Sequence, residues 1–195
     1  MRGAVLAGGR SRRFGRDKRL ALLEGERLVD RQVRTLRALF PDVMVVGGVT
    51  EEPSDRTVPV VHDIVPASGP LGGIHAALSH ARGEDVLVAA CDMPFLQLPL
   101  LRRLVELAPG HDVVVCRRGG HLEPLPGVYS SRCLPHISRM LDLGERRIAG
   151  FFPFVKTVYL DEEETRRLDP LGLSFFNVNT PEDMARANEL LRGSG

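Results

Sequence analysis

Short apolar runs alternate with amphipathic stretches along most of the chain. Five runs, apolar on both faces, predict strands covered by helices on each side: Ala4–Leu6, Val43–Val46, Val58–Val61, Val86–Ala90 and Val113–Cys116. Apolar residues spaced near 3.6 positions predict helices between them, over Arg27–Phe40, Gly73–His80 and Leu98–Leu107. Strands that alternate with helices predict an α/β protein with a three-layer, doubly wound and mostly parallel sheet.

The second half of the chain departs from this alternation. A strand-like Leu125–Tyr129, a helical pattern near Ser131–Leu141 and a β-rich Phe151–Leu160 predict an antiparallel strand in the C-terminal half. The acidic run Asp161–Glu164 is typical of a helix start. A last helix is predicted from Thr180–Asp183, with Thr as N-cap, Pro at the first helical position and acids in the first turn.

Composition narrows the class of protein. The length of 195 residues suits a single domain spanning residues 1–195, and the net charge of +1 argues against general nucleic-acid binding. No apolar run approaches the roughly 20 residues of a membrane span, and the N-terminus does not resemble a signal peptide. The three cysteines form no paired motif, so we expect neither a disulfide framework nor a zinc site, and a reducing cytoplasm is the expected compartment.

The first strand runs directly into a glycine pair and a strongly basic loop. Five Arg and Lys18 lie within residues 10–19, offset by Asp17 alone. Glycines let backbone N–H groups approach phosphate oxygens, while basic side chains neutralise their charge. Only two of the 26 basic residues in the chain are lysine, which favours a specific need for a compact ammonium at Lys18. The segment fits neither the P-loop nor the dinucleotide fingerprint, and a glycine turn with solvated arginines is the alternative.

Acidic residues follow two of the predicted buried strands. Asp92 comes just after Val86–Ala90, and Asp63 comes just after Val58–Val61. The carboxyl ends of parallel strands meet at one edge of the sheet, where open α/β sheets bind ligands. One carboxylate there suits Mg²⁺, which leaves its remaining positions to water and phosphates. The alternative is that each Asp only caps a turn.

Two further segments are candidates for the same edge. The glycines of Gly69–Gly73 permit close approach of a nucleoside or phosphate, although such turns are also ordinary connectors. Asn177 and Asn179 are expected on one face of a strand that leads into the last helix, where they could bind a metal or a phosphate or tie down the strand end. The six histidines form no metal-binding pattern and no Ser-His-Asp set is evident, so covalent catalysis is not expected.

The sequence from Leu6 to Lys18 fits LAGGxSxRxGxDK without gaps, and it resembles the signature of the molybdenum cofactor guanylyltransferases. The resemblance continues in order along the chain, through HD at Asp63, GPLGG, CDMP, EPLPGVYS, GERR and NVNTPED. It implies a nucleotidyltransferase fold of Rossmann-like type, with a nucleotide-binding half over about residues 1–110 and an acceptor-binding half over about 111–195. The length also fits a stand-alone enzyme of this family.

The resemblance also implies roles for individual residues. Catalysis is expected from Lys18, Arg13 and Asp92, with Asp92 on Mg²⁺ and Asn179 as a second metal ligand. Arg146 is expected at the acceptor, as are Arg117 or Arg118, although exposed arginines are common in this chain. The residues expected to bind the nucleotide are Leu6, Ala7, Gly8, Gly9, Lys18, Asp63, Gly69 and Asp92.

The implied reaction joins GTP to molybdopterin or the molybdenum cofactor, with Mg²⁺ as cofactor and pyrophosphate as the second product. Contacts with molybdoenzyme apoproteins or with cofactor-synthesis proteins are expected as well. Two alternatives stay open on the residues alone. One is a related enzyme that uses CTP or another small phosphate acceptor; the other is a non-catalytic nucleotide-binding module.

Overall fold

The computed structural model of the protein describes residues 1–7, 22–47, 53–65 and 67–193. The strands are β1 (Arg2–Leu6), β2 (Leu22–Leu23), β3 (Glu26–Arg27), β4 (Val43–Val46), β5 (Val60–Val61), β6 (Val86–Ala90), β7 (Val113–Arg118), β8 (His121–Tyr129) and β9 (Thr157–Leu160). The α-helices are α1 (Leu28–Arg37), α2 (Gly69–His80), α3 (Leu98–Glu106), α4 (Leu134–Asp142), α5 (Glu162–Leu168) and α6 (Pro181–Arg192).

Seven of these strands form one sheet in the order β5-β4-β1-β6-β8-β7-β9, while β2 and β3 form a separate hairpin. β8 runs antiparallel to both of its neighbours, β6 and β7, and every other pairing in the large sheet is parallel. The predicted class, a mostly parallel sheet with an antiparallel strand in the C-terminal half, is therefore confirmed.

Helices cover both faces of the sheet because the central strands are apolar on both sides. Val5 and Leu87 face one core, which α1 and α3 close with residues such as Leu36 and Leu100. Alternate strand residues face the second core, to which α2 and α4 contribute. This arrangement gives the predicted three layers.

The strand predicted over Val58–Val61 is shortened to β5, Val60–Val61, and two further predicted strands differ more from the structure. Within Phe151–Leu160, only the second part is a strand, because Ile148–Phe154 forms a 3₁₀ helix that contains Pro153. Proline cannot donate to a β ladder, and the adjacent Phe151 and Phe152 are both buried, which an alternating strand would not allow. The strand predicted over Phe176–Thr180 is also wrong, since this segment forms no ladder with the sheet.

The β7–β8 hairpin lengthens the sheet beyond the ends of the other strands. Gly119 and Gly120 connect its strands with φ of +56° and +76°, a turn geometry that glycine adopts without strain. The ladder register shifts between Val115 and Cys116. The three cysteines of the chain are free and buried. Among the residues described, no helix is long and apolar enough to cross a membrane.

Candidate active site

The carboxyl ends of the central parallel strands lie level with one another. The amide of Ala7 donates to the carbonyl of Val46 on β4 at 2.8 Å, and the amide of Cys91 donates to the carbonyl of Leu6 on β1 at 2.9 Å. The chain leaves β1 toward β4 on one side and later returns to β6 on the other, so the order of strands reverses here. Such a switch point opens a crevice at the strand ends where α/β proteins bind ligands.

The start of the predicted nucleotide loop is built into the sheet. Leu6 ends β1 and Ala7 follows it, and the two side chains are buried on opposite faces of the sheet. Leu6 also fixes α2, because a Cβ on Gly73 would lie 3.0 Å from the Leu6 Cδ2 atom. These two residues therefore anchor the end of β1 beside the crevice. The remainder of the predicted loop, Gly8, Gly9, Arg13 and Lys18, lies outside the described residues.

Asp92 sits on a turn that is fixed at three consecutive carbonyls. The carbonyl of Asp92 accepts from the Val178 amide at 2.8 Å, and that of Met93 accepts from Gln32 Nε2 at 2.6 Å. The carbonyl of Pro94 accepts from Arg31 Nε at 2.7 Å. The three donors come from two different parts of the chain, so the turn after β6 has little freedom to move. The Oδ1 atom of Asp92 is buried within this arrangement.

The roles of Arg31 and Gln32 were missed from the sequence. Gln32 is fully buried on the apolar side of α1, between Val29 and Val33, and it is one of only two glutamines in the chain. A glutamine inside an apolar helical stripe is a usable signal, because a buried amide needs a specific partner. That partner, the backbone of residue 93, could not be identified from the sequence.

The segment before the last helix brings Asn179 next to the Asp92 turn. Asn177 and Asn179 are exposed on either side of the buried Val178, so the predicted alternation holds without a strand. The Asp183 carboxylate accepts from the Asn179 and Thr180 amides, at 2.8 and 2.9 Å, and the Thr180 hydroxyl accepts from the Asp183 amide. This capping box fixes the segment at the start of α6.

The donor set suits a hard divalent cation. Asp92 offers a carboxylate and Asn179 an amide oxygen, and the hydrogen bond from Val178 to Asp92 holds their backbones together. Mg²⁺ is commonly bound by one or two such oxygens, with water and substrate phosphates completing its shell. No group of three or more His, Cys, Asp or Glu side chains forms a metal cluster in the described part of the chain. A dedicated all-protein cage is therefore not seen there.

The other predicted residues lie around the same edge of the sheet. Asp63 follows β5 and is half-buried, and this burial raises its pKa while the nearby His62 acts in the opposite direction. Gly69 begins α2 with φ of +61°. The exposed Arg146 donates from Nη1 to the hydroxyl of Ser68, 78 residues away and next to Gly69, at 3.3 Å. Arg146, which is predicted to bind the acceptor, thus lies at the N-terminus of α2, where Gly69 is predicted to bind the nucleotide. The helix dipole makes this N-terminus positive.

The paired arginines of the hairpin stack on aromatic rings. The guanidinium carbon of Arg117 lies 4.6 Å from the ring centroid of Tyr159, and that of Arg118 lies 5.5 Å from the centroid of Phe175. Both arginines are exposed on their outer sides. Stacking holds a guanidinium in place while its N–H groups remain directed outward in the ring plane. The hairpin therefore adds positive charge to the edge that carries Asp92.

The sequence of this chain matches a known protein family. Residues 3–156 match the family described as MobA-like NTP transferase domain. The chain belongs to this family. A Pelotomaculum thermopropionicum protein named "Probable molybdenum cofactor guanylyltransferase" is 41% identical over 98% of this chain and 94% of its own length. A Desulfosudis oleivorans protein named "Molybdenum cofactor guanylyltransferase" is 33% identical over 97% and 95%.

Solved structures agree with this assignment to the MobA-like family. The crystal structure of molybdopterin-guanine dinucleotide biosynthesis protein A from Archaeoglobus fulgidus superposes with a TM-score of 0.85 and 30% identity, over 99% of this chain and all of that one. A Thermus thermophilus 2-C-methyl-D-erythritol 4-phosphate cytidylyltransferase shares the fold, with a TM-score of 0.71 at 16% identity, over 97% and 98% of the two chains. The overall fold is therefore shared by solved proteins of different names.

Proposed function

We propose that this chain is a molybdenum cofactor guanylyltransferase, which transfers GMP from GTP to the terminal phosphate of molybdopterin or the molybdenum cofactor. The observation that carries the proposal is that the chain belongs to the MobA-like family. It also matches, over nearly their full length, relatives that are named molybdenum cofactor guanylyltransferase. The Asp92 turn, fixed at the switch point of the sheet, supports it with chemistry suited to a phosphate-bound cation.

The reaction is an in-line displacement at phosphorus. A terminal phosphate oxygen of the acceptor forms a bond to the α-phosphorus of GTP. The bond from that phosphorus to the bridging oxygen breaks, and pyrophosphate leaves with the electron pair. The attacking phosphate oxygen is already anionic at neutral pH, so no strong general base is required. Catalysis then depends on alignment of the two substrates and on neutralisation of charge.

Asp92 and Asn179 would hold Mg²⁺, which supplies Lewis-acid neutralisation of phosphate charge when it is bound. The fixed backbone at Met93 and Pro94 holds the turn that carries the Asp92 carboxylate in place. Lys18 and Arg13 bind the triphosphate, and Leu6, Ala7, Gly8 and Gly9 contribute to binding the nucleotide. Asp63 and Gly69 complete the nucleotide side, and Arg146 binds acceptor phosphate at the start of α2.

The cellular setting follows from the same proposal. GTP and molybdopterin are small anionic partners of a chain with a net charge of +1, and the site needs no membrane or nucleic-acid surface. We place the reaction in the cytoplasm. The product passes to molybdoenzyme apoproteins or to other cofactor-synthesis proteins, which are the protein partners that we expect.

The proposal is tested by incubating the purified chain with molybdopterin, GTP and Mg²⁺ and measuring pyrophosphate and the guanine dinucleotide. We expect GTP to give product and CTP to give far less, and EDTA to abolish turnover until Mg²⁺ is restored. Asp92→Ala should remove turnover while the fold is retained, whereas Glu163→Gln, at an exposed carboxylate on α5, should behave as wild type. Preference for CTP, or no dinucleotide product under conditions that support a related enzyme, would contradict the proposal.

A further inference from the structure

Glu123 is a half-buried carboxylate on β8 that neither the predicted site nor the proposed chemistry uses. It lies opposite Cys116 in the β7–β8 ladder. Within the described residues its side chain makes no hydrogen bond and no ion pair, and the charges that act on it at longer range are those of Arg118 and His121. Burial raises the pKa of Glu123, and both basic groups oppose that effect. Among the described residues, the fully buried side-chain atoms without a partner do not include a Glu123 oxygen, so this carboxylate stays open to a ligand that supplies hydrogen-bond donors.

The strand pairing places Glu123 beside a positively charged shelf, by which we mean the surface formed by Arg118 and the Phe175 ring under it. Directly opposed residues share one face of a sheet, so Glu123 lies on the same face as Arg118, which pairs with His121. Arg118 is packed tightly against the chain at Gly172, where an added Cβ would lie 2.7 Å from its Nη2 atom. Together with the Phe175 ring beneath it, this contact holds the Arg118 guanidinium in a fixed position.

The shelf is continuous with the Asp92 turn. The side-chain amide of Asn177 donates to the carbonyl of Phe175 at 3.1 Å, and the next residue, Val178, donates to the carbonyl of Asp92. In the sheet, β8 lies on the side of β6 opposite to β1. Glu123 and Arg118 therefore flank the Asp92 turn away from the strands expected to hold the nucleotide, which is where an acceptor would lie.

We propose that Glu123 is a specificity residue for the acceptor: its two carboxylate oxygens accept hydrogen bonds from the 2-amino group and the adjacent ring N–H of a 2-amino-4-oxopteridine. The inference rests on the proposed function, which supplies the pterin. An ionised carboxylate only accepts hydrogen bonds, and this edge of the ring presents two parallel donors. Arg118, held on Phe175, is placed to donate to the neighbouring oxo group. The guanine of GTP presents the same 2-amino group and ring N–H. The test therefore distinguishes binding of the pterin from binding of guanine.

The test compares wild type with Glu123→Gln in steady-state guanylyl transfer. Glutamine keeps the shape but replaces one acceptor oxygen with a donor. We expect KM for molybdopterin to rise at least tenfold and KM for GTP to stay within twofold. The matched control is the same Glu→Gln change at the exposed Glu163 of α5, which should leave both KM values unchanged. A rise confined to KM for GTP would show that Glu123 reads guanine, and unchanged KM values for both substrates would show that it reads neither; each overturns the proposal.

A binding assay tests the inference without turnover, and its first part needs only the wild-type protein. Wild-type protein is titrated with a fluorescent 2-amino-4-oxopteridine and with the 2,4-dioxopteridine that lacks the amino group. We expect the amino compound to bind at least tenfold more tightly, and Glu123→Gln to lose this preference. Equal binding of both compounds to wild type would overturn the inference. Preferential binding without guanylyl transfer would instead count against the proposed function alone.

Discussion

Replacement of Gln32 by leucine separates the contribution of a buried hydrogen bond to stability from its contribution to site geometry. Gln32 is fully buried, and its Nε2 donates to the Met93 carbonyl at 2.6 Å. Loss of this donor leaves a buried carbonyl unsatisfied, at a cost of about 1–3 kcal/mol. The other amide atom, Oε1, is buried and makes no hydrogen bond within the described residues. Its removal recovers a desolvation cost of similar size, about 1–3 kcal/mol.

The two terms oppose each other, so we expect Gln32→Leu to change the free energy of unfolding by no more than about 1 kcal/mol. Turnover should fall much further, because the Asp92 turn loses one of its three fixed carbonyls. A displacement of about 1 Å in a catalytic group can cost on the order of 100-fold in rate, so a loss of about 10- to 100-fold in kcat is expected. Urea unfolding and initial-rate guanylyl transfer on the same preparation give both quantities.

The control is Val33→Ala, one residue further along the same buried face of α1. This substitution removes two buried carbon atoms. It leaves intact the three donors, Val178, Gln32 and Arg31, that hold the Asp92 turn. It should lower stability by about 2 kcal/mol and leave kcat at 25 °C close to wild type. Wild-type kcat in Gln32→Leu, or an equal loss of kcat in Val33→Ala, would refute the idea that α1 holds the catalytic turn.

Three further substitutions test the packing around the site. Burial lowers the pKa of His75 below 6.5, so the unfolded chain binds a proton in acid that the native chain does not. The free energy of unfolding should therefore fall as the pH drops below about 6.5. His75→Gln should flatten this slope in thermal unfolding between about pH 5.5 and 7.5. Gly73→Ala places a Cβ 3.0 Å from Leu6 Cδ2, an overpacking cost of about 1–3 kcal/mol that is offset by the roughly 1 kcal/mol alanine gains in a helix, so the fold should lose up to about 2 kcal/mol in urea. Thr180→Ala removes the N-cap of α6 and should cost about 1 kcal/mol in the same assay.

Elements set by local patterns were predictable from the sequence. β6 occupies Val86–Ala90 as predicted, because an uninterrupted apolar run flanked by polar residues has few alternatives in an α/β chain. The final helix begins at Pro181 after the Thr180 cap, as its short-range capping chemistry indicated. By contrast, α2 starts at Gly69, four residues before the predicted Gly73, because a Gly-Pro pair is typical of a turn and of a helix start alike.

Features set by distant contacts were not predictable in the same way. Asn177 and Asn179 do alternate with a buried Val178, but a hydrogen bond to the Asp92 carbonyl replaces the expected β ladder. The position of Asp92 at a strand end followed from local sequence, whereas its fixation by Arg31 and Gln32 depends on where α1 packs. A single sequence gives the side chains that can donate, but it does not identify the carbonyl that each one reaches.

The direction of β8 explains how the second half of the chain contributes to the same site. In a wholly parallel sheet, the residues that start a strand lie at the edge away from the ligand crevice. β8 has nine residues and so spans about 30 Å, at roughly 3.4 Å per residue. If β8 ran parallel to its neighbours, Glu123 would lie near the far edge, most of that length from Asp92. Because β8 is antiparallel to β6, its first residues and the end of β7 emerge together beside the Asp92 turn. One reversed strand therefore lets two consecutive parts of the chain, the proposed nucleotide-binding part and the proposed acceptor-binding part, meet across a single edge.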